Sequence, residues 1–369
     1  MKIKEIEGCP KGLRYFNKEG DDLESRMTPK DVEDVVEIFK TPLVGSYNWD
    51  YTEADNRLKK LYSLGKKLNW NATMDLDWSQ DPYPLTEWAS NPEFFAFKGF
   101  EPFEKLSEEE KIECSWHVLA SGLSNIVHGE QGALLVASQL ATCAPTYQAK
   151  LYAASQTFDE ARHVEVYNKY LQERIGFNYP IMPGLKLLLD KVLTDHRWDL
   201  KFIGMQIIIE GLALAAFERQ RQSVMDPLLK DIFYLVIRDE ARHVTFGVNY
   251  LEEFITTLSE KEKKERIDFA YEACVIMRDR FGSTNVLNHY GWDVDEAMKI
   301  STNSEAAQLF NALLFSKIMP NLKKIGLLDD EVSEKYEKMG ILQFKDLDDA
   351  SVTNWEEMSK PLEYAYKTA

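Results

Sequence analysis

The hexapeptide Asp-Glu-Ala-Arg-His-Val occurs twice in the chain, at 159–164 and at 239–244, an interval of 80 residues. A further glutamate precedes the glutamate of each copy by the same 30 residues. The two resulting pairs are Glu130 with Glu160 and Glu210 with Glu240. Each repeat therefore predicts two packed helices, one carrying a single glutamate and the other a Glu-x-x-His sequence.

The spacing inside each copy points to metal binding. Residues three apart on a helix lie on one face, so Glu160 and His163 can reach the same ion, and Glu240 and His243 repeat the arrangement. Two such halves place four carboxylates and two imidazoles in the core of a four-helix bundle, which is the ligand set of di-iron and di-manganese carboxylate bundles. The predicted ligands are Glu130, Glu160, His163, Glu210, Glu240 and His243.

A single Glu-x-x-His sequence on a helix is usually a solvated pair, so the surroundings of the upstream glutamates matter. Glu130 lies in His-Gly-Glu-Gln-Gly-Ala-Leu-Leu and Glu210 in Ile-Ile-Ile-Glu-Gly-Leu-Ala-Leu. Carboxylates without a partner are rare in such apolar stretches. Four buried carboxylates balance two divalent cations, whereas burying them without metal would cost much free energy. This pattern favours the metal site.

The repeated motif also contains candidates for supporting the ligands. A metal-bound imidazole needs a partner for its second ring nitrogen. We expect Asp159 and Asp239 to fill this role, each for the histidine of the opposite helix, with Arg162 and Arg242 anchoring the two aspartates. The alternative is that these four residues form ion pairs at the surface.

Helix signals dominate after residue 104. Ser107 with Glu110 forms a capping box that opens a helix running to Cys143, and a second helix follows Pro145 and ends near Gly176. The remaining predicted helices cover 200–223, a stretch from Asp226-Pro227 to about Thr257, a helix opened by Ser259 with Glu262, and a helical pattern over 293–316 that Pro320 interrupts or ends.

These signals predict an all-α protein in three parts. Residues 1–104 form an aromatic-rich cover with one helix near 53–67, packed on the bundle. Residues 105–345 form a helical bundle with a four-helix metal-binding core and additional C-terminal helices, and 346–369 form a polar, partly ordered tail.

Composition restricts the partners and the compartment. The 44 basic and 61 acidic side chains give a net charge of −17, which disfavours nucleic-acid binding. The N-terminal MKIKEIEGCPKG contains no apolar secretion signal, and no run of 18 apolar residues predicts a membrane span. The scattered cysteines fit a reducing compartment. We therefore expect a cytoplasmic protein; its cysteines are Cys9, Cys114, Cys143 and Cys274.

The doubled Asp-Glu-x-Arg-His motif with an upstream glutamate resembles the ferritin-like di-iron carboxylate superfamily over about 105–257. Within it the motif is most similar to the hydroxylase subunits of bacterial multicomponent monooxygenases and to the small subunit of class I ribonucleotide reductase with its oxidase relatives. The resemblance implies a ferritin-like bundle in which the six residues named above bind two Fe ions, with Mn/Fe and di-Mn as alternatives. It also matches Asp159 and Asp239 to supporting aspartates of the monooxygenases.

Three further positions are candidates for lining the pocket or carrying a radical. Leu214 stands where the monooxygenases resembled here carry a threonine, and Tyr167 stands where the reductases carry their radical tyrosine. Gln206 is the polar exception among positions that we expect near the ligands from their helical spacing; the apolar ones are Ile126, Leu134, Ala137, Ile207 and Leu214. Glu165 and Glu218 are either extra ligands or members of salt bridges elsewhere, and Tyr167 is otherwise an ordinary core residue.

The resemblance implies a non-haem di-iron oxygenase or oxidase that uses dioxygen to oxidise a small apolar or aromatic substrate. An external electron donor, either a reductase or a ferredoxin, and a homodimeric assembly are expected with it. Two alternatives stay open: a radical-generating or ligand-binding oxidase like the reductase small subunit, and a ferritin-like iron-handling or peroxidase protein.

Overall fold

The computed structural model describes residues 14–15, 38–52, 56–280 and 284–362. Regular structure in these ranges is almost all helical, which confirms the prediction of an all-α, ferritin-like bundle. The strands β1 (Arg14–Tyr15) and β2 (Phe177–Asn178) form a short antiparallel ladder. The segment before the bundle contains α1 (Arg57–Lys67), a 3-10 turn (Pro92–Phe94) and α2 (Glu101–Glu104).

The helix predicted near 53–67 begins at Arg57, because the Asn56 side chain accepts a hydrogen bond from the Lys59 amide and caps the first turn. Residues 53–55 of that prediction lie outside the described ranges. The chain that follows is rich in aromatic side chains that pack against the bundle. Its most deeply buried rings are those of Trp70, Phe97, Phe100 and Phe103. The division of the chain at residues 104 and 345 stays a prediction.

The first repeat forms a helical hairpin of α3 (Glu108–Cys143) and α4 (Tyr147–Tyr170), which pack against each other along their length. Both halves of the Ser107–Glu110 capping box are present, so α3 begins where the sequence predicts. The Thr146 hydroxyl accepts a hydrogen bond from the Ala149 amide and starts α4. A π-helical turn (Leu171–Ile175) extends α4, and Gly176 ends it with a φ of 99°.

Two shorter helices, α5 (Pro183–Thr194) and α6 (Trp198–Phe202), lead to the second repeat. Its hairpin consists of α7 (Glu210–Ser223) and α8 (Pro227–Ile255). The Asp226 side chain accepts a hydrogen bond from the Leu228 amide, and Pro227 occupies the first helical position. The helix predicted over 200–223 is present within the continuous helical stretch Trp198–Ser223, but a π-helical segment (Ile203–Ile209) lies between α6 and α7.

The remaining helices pack around this core. They are α9 (Glu260–Arg280), α10 (Thr284–His289), α11 (Val294–Asn303), α12 (Glu305–Lys324), α13 (Asp330–Lys338) and α14 (Trp355–Met358), with 3-10 turns at Leu342–Phe344 and Ala350–Val352. The helical pattern over 293–316 is two helices, because the Ser304 side chain caps a new one at Glu305. Pro320 lies inside α12 and does not end it, contrary to the prediction.

Within the part of the chain that the structure describes, one segment, Trp198–Ser223, is long and apolar enough to cross a membrane. Of its most apolar window, 89% is buried inside the protein. Burial in the bundle therefore accounts for its composition, as for any core helix.

Candidate dimetal centre

The structure brings the six predicted ligands together at the centre of the bundle. Glu130 lies on α3, Glu160 and His163 on α4, Glu210 at the start of α7, and Glu240 and His243 on α8. All six side chains are buried. Their ligand atoms form two groups, in each of which the atoms lie within 4.8 Å of one another. The groups are Glu130, Glu160, His163 and Glu240, and Glu160, Glu210, Glu240 and His243.

Each histidine turns its Nδ1 toward several carboxylates. Nδ1 of His163 lies 3.2 Å from an oxygen of Glu130, 3.2 Å from one of Glu160 and 3.0 Å from one of Glu240. Nδ1 of His243 lies 2.8 Å from Glu240 and 3.2 Å from Glu160. A ring nitrogen carries at most one proton, so a hydrogen bond cannot satisfy three facing carboxylates.

The second nitrogen of each histidine faces an aspartate of the other repeat. Nε2 of His163 lies 3.2 Å from Oδ2 of Asp239, and Nε2 of His243 lies 3.3 Å from Oδ2 of Asp159. When Nε2 carries the proton and donates it to the aspartate, the lone pair of Nδ1 points into the carboxylate cluster. A lone pair surrounded by carboxylate oxygens needs a cation between them, and this donor set fits a pair of metal ions.

The two aspartates also form a closed ring with two arginines. The Arg162 guanidinium lies 2.6 Å from Asp159 and 2.9 Å from Asp239, while the Arg242 guanidinium lies 3.1 Å from Asp159 and 2.7 Å from Asp239. All four side chains are buried. The two arginine charges therefore balance the two aspartates, so the positive charge of any bound metal ions would be left for the four glutamates.

The pKa shifts of the clustered side chains show that the site favours the binding of positive charge. Burial, together with the negative charge of Glu240, raises the pKa of Glu130 and of Glu210 well above the ordinary value. Burial opposes protonation of His163 and His243, but the surrounding carboxylates outweigh it and raise the pKa of both. Without another cation the site would hold protons on these groups, and metal ions would displace them.

Sequence reasoning missed two residues at the centre. The Gln156 side-chain amide donates to Glu160 at 2.9 Å and to Glu210 at 3.0 Å. The Trp70 indole donates to Oδ2 of Asp239 at 2.7 Å. Gln156 stands one turn before Glu160 on the same helix face, so its spacing was a usable signal. Trp70 comes from the distant aromatic segment, and nothing local in the sequence indicates its contact.

The other candidate residues lie in different places. Gln206 is buried in the π-helical segment and contacts Gln156, whereas Leu214 lines a cavity that the C-terminal segment covers. Tyr167 is fully buried and packs against Phe217 and Phe233, with ring centroids 5.9 Å and 5.6 Å apart. Glu165 is exposed, and Glu218 pairs with Lys317 at 2.7 Å, so neither joins the cluster.

A cavity of about 180 Å³ lies beside the centre, between α3, α5 and α7. Glu130 and Glu210 contribute to its wall. The rest of the wall is mainly apolar and includes Ile126, Gly129, Ala133, Leu185, Ala213 and Phe217. Ile126 is one of the residues expected near the ligands from its helical spacing. A small apolar or aromatic molecule in this cavity would touch the two glutamates directly.

Arg219 contacts a residue of the cavity wall. Phe310 lines the cavity, and the Arg219 guanidinium lies over its ring, 5.4 Å from the centroid. Burial lowers the pKa of Arg219 from its ordinary value, and among the described residues no carboxylate lies within salt-bridge distance of it. A guanidinium without a carboxylate partner can bind an anionic group.

The fold and the site define a ferritin-like dimetal carboxylate oxidoreductase. A family model described as p-aminobenzoate N-oxygenase AurF matches residues 51–326. The chain therefore belongs to the p-aminobenzoate N-oxygenase AurF family, and it is an enzyme that uses dioxygen. The motif-based prediction of a ferritin-like di-iron carboxylate protein is confirmed at the level of this superfamily.

Solved structures similar to the chain include variants of an R2-like ligand-binding oxidase with a reconstituted Mn/Fe cofactor. A valine-to-isoleucine variant is 18% identical, with 74% of this chain and 95% of that chain covered, and a TM-score of 0.47. A tyrosine-to-phenylalanine variant is 17% identical with the same coverage and a TM-score of 0.48. A comparison with curated proteins found no match.

Proposed function

We propose that the six clustered residues hold two metal ions, either two Fe or an Mn/Fe pair, and that the enzyme inserts oxygen at the nitrogen of a small aromatic amine. Glu160 and Glu240 belong to both groups of ligand atoms and would help to hold both ions. Glu130 with His163 would complete one position, and Glu210 with His243 the other. The observation that carries this proposal is the convergence of three carboxylates on one histidine nitrogen.

When bound, the metal pair would supply the reduction of dioxygen. The protein's own contribution begins with Asp159 and Asp239, which keep the proton of each histidine on Nε2 and leave Nδ1 free. The apolar wall beside Glu130 and Glu210 would limit the access of water to the reacting nitrogen. Overall, one oxygen atom enters an N–H bond and the other leaves as water, with two electrons and two protons supplied from outside.

The cavity supports an aromatic substrate that carries a carboxylate. Its apolar wall suits a ring, and Arg219 next to Phe310 provides an anchor for an anion at the cavity's edge. With its carboxylate bound at Arg219, the ring would lie in the cavity whose wall includes Glu130 and Glu210. The name of the family model, with p-aminobenzoate as the substrate, supports the same chemistry for this chain.

The finer features of the sequence prediction belong to this proposal. An external donor, a reductase or a ferredoxin, would supply the electrons, and the enzyme would work as a cytoplasmic homodimer. The net charge of −17 supports a donor with a basic docking surface, since opposite charges speed encounter.

The proposal is tested by loading the protein anaerobically with Fe(II), adding p-aminobenzoate, a chemical reductant and dioxygen, and analysing the products by mass spectrometry. We expect two metal ions per chain and N-oxygenated products, the hydroxylamine first. A double variant, Glu160→Ala with Glu240→Ala, should lose both. Iron oxidation or peroxide turnover without an organic product would instead favour the iron-handling or peroxidase alternative.

Arg219→Met provides a matched test of the anchor. We expect it to raise KM for p-aminobenzoate about 10-fold or more while leaving turnover of aniline, which has no carboxylate, unchanged. An equal effect on both substrates would show that Arg219 supports the helix and does not bind the substrate.

A further inference from the structure

The 80-residue repeat allows the two halves of the centre to be compared position by position. Three ligands, an aspartate and an arginine recur in each half, but the residues four positions before the ligand glutamates differ between the halves. Gln156 stands four residues before Glu160, and the equivalent residue before Glu240 is Val236. Gln206 stands four residues before Glu210, and the equivalent residue before Glu130 is Ile126. Each repeat therefore contributes one amide, and the two amides meet beside Glu210, whereas the two equivalent positions are apolar.

The two glutamines form a buried pair with a fixed orientation. The Gln156 side-chain nitrogen lies 2.9 Å from Glu160 and 3.0 Å from Glu210, so these acceptors require the NH₂ group on that side. Its side-chain oxygen then accepts from the Gln206 nitrogen at 2.8 Å. Both side chains are fully buried, so no solvent competes for these bonds. Gln206 thus fixes the amide orientation with which Gln156 holds the two carboxylates.

Glu130, the counterpart of Glu210, has no such support among the described residues. Val236 is fully buried and offers no hydrogen bond, and Ile126 lines the cavity beside Glu130. The Glu130 carboxylate contacts His163 at 3.2 Å, and in the described part of the chain no amide holds it from the cavity side. Glu130 therefore has more freedom to rotate than Glu210, whose carboxylate is tethered.

We propose that Gln156, oriented by Gln206, is a positioning residue that makes the two metal positions unequal: the Glu210–His243 position binds its ion more tightly, and the Glu130–His163 position is the more weakly held one. The inference rests on the proposed dimetal site. Residues that orient a metal ligand commonly change metal affinity about 10–100-fold when they are lost. Glu160 is shared by both positions, so the inequality arises from the tether on Glu210.

The test is a titration of the full-length metal-free protein with Mn(II), in which free Mn(II) is measured by electron paramagnetic resonance. Wild-type protein should show two dissociation constants. Gln156→Val, which copies the residue of the other half, should raise the smaller constant about 10–100-fold and change the larger one less, so that the two approach each other. His243→Ala should abolish the tighter step, whereas His163→Ala should retain it.

Val236→Ala is the matched control, because it truncates the equivalent buried position without removing a hydrogen bond; the ratio of the two constants should persist. If Gln156→Val does not fold by circular dichroism, Gln206→Met carries the same test from the neighbouring helix. Unchanged constants in the glutamine variants, or an equal rise in both, would overturn the inference. Absence of Mn(II) binding by wild-type protein would instead contradict the proposed dimetal site itself.

Discussion

Oδ2 of Asp239 lies 3.2 Å from Nε2 of His163, although Asp239 stands on α8 and His163 on α4. The same oxygen accepts from the Trp70 indole at 2.7 Å and from Arg162 at 2.9 Å. Burial raises the pKa of Asp239, but the charge of Arg242 and the contact with His163 outweigh it and hold that pKa well below the ordinary value. The Asp239 carboxylate therefore stays ionised and can accept a hydrogen bond from Nε2 of His163.

Replacing Asp239 by Ala should leave His163 without a partner for Nε2 and free its tautomer and ring orientation. We expect metal affinity or oxygenation activity to fall about 10–100-fold while the helical fold persists. Isothermal titration calorimetry with Mn(II) measures the metal affinity, and circular dichroism measures the helical content. Trp70→Phe is the graded control, since it removes one of several bonds to Asp239 and should cost less. Unchanged affinity and activity in Asp239→Ala would assign the aspartate to the Arg162–Arg242 ring alone.

Tyr167 decides between an oxygenase and a radical-generating protein. Its hydroxyl has no hydrogen-bond partner among the described residues, and burial, followed by the charges of Glu130 and Glu240, raises its pKa well above the ordinary value. A buried phenol with no acceptor has no group to take the proton that leaves when it is oxidised. This favours packing as the role of Tyr167, in line with its contacts to Phe217 and Phe233.

We therefore expect Tyr167→Phe to retain oxygenation and to change the free energy of unfolding by less than about 1 kcal/mol, because no hydrogen bond is lost. Electron paramagnetic resonance after adding dioxygen to the Fe(II) protein should show no persistent tyrosyl signal. A stable signal in wild-type protein that disappears in Tyr167→Phe would instead identify a radical-generating enzyme.

Local sequence signals predicted much of this structure. The Ser107–Glu110 capping box and Asp226-Pro227 each stabilise the first turn of the helix that they begin. The starts of α3 and α8 could therefore be predicted from the local sequence. The position of the six-residue cluster followed from the repeat, since helical spacing fixes which side chains share a face. Pro320 was misjudged because burial of α12 against α7, including Ile318 against Gly211, outweighs the hydrogen bond that proline removes.

Long-range contacts could not be predicted from the sequence. Trp70 reaches Asp239 across 169 residues, and no pattern near either residue signals it. The π-helical segment Ile203–Ile209 depends on its packing against α8. Helix propensity is a property of the local sequence and does not predict such packing.

His117 gives the fold a pH dependence independent of the metal centre. It is buried, it stacks on His289 with ring centroids 4.3 Å apart, and its Nδ1 lies 2.7 Å from the Tyr179 hydroxyl. Burial, with the neighbouring His289, lowers the pKa of His117 to about 3. An unfolded histidine titrates near about 6.5. Between these two values the unfolded chain binds a proton that the folded chain does not, so stability falls as the pH falls.

The contribution of His117 should thus be fully present above about pH 6.5 and decline below it, by at most about 1.4 kcal/mol per pH unit. His117→Gln, which keeps a polar group near Tyr179, should remove this slope. Urea unfolding of both proteins at several values between pH 7 and pH 5 measures the difference. If the two free energies of unfolding run parallel over that range, His117 is protonated in the folded protein and the reasoning fails.

Gly247 on α8 allows the π-helical segment to approach. A Cβ at this position would lie 2.4 Å from Cβ of Gln206, and both atoms are fixed to their backbones, so a rotamer change cannot relieve the clash. Gly247→Ala should therefore push Ile203–Ile209 away from α8. Overpacking should lower the free energy of unfolding by about 1–3 kcal/mol, and the higher helix propensity of alanine should offset about 1 kcal/mol of this loss.

Gly65→Ala is the matched control, because its Cβ would meet only Arg242 at 3.6 Å. It should be neutral or stabilising in the same urea titration. Since Gln206 moves with the segment, we expect Gly247→Ala also to weaken the tighter Mn(II) step, the same effect that we expect of Gln206→Met. A variant as stable as wild type, with both Mn(II) steps unchanged, would show that the segment shifts without cost and that the orientation of Gln206 does not depend on this contact.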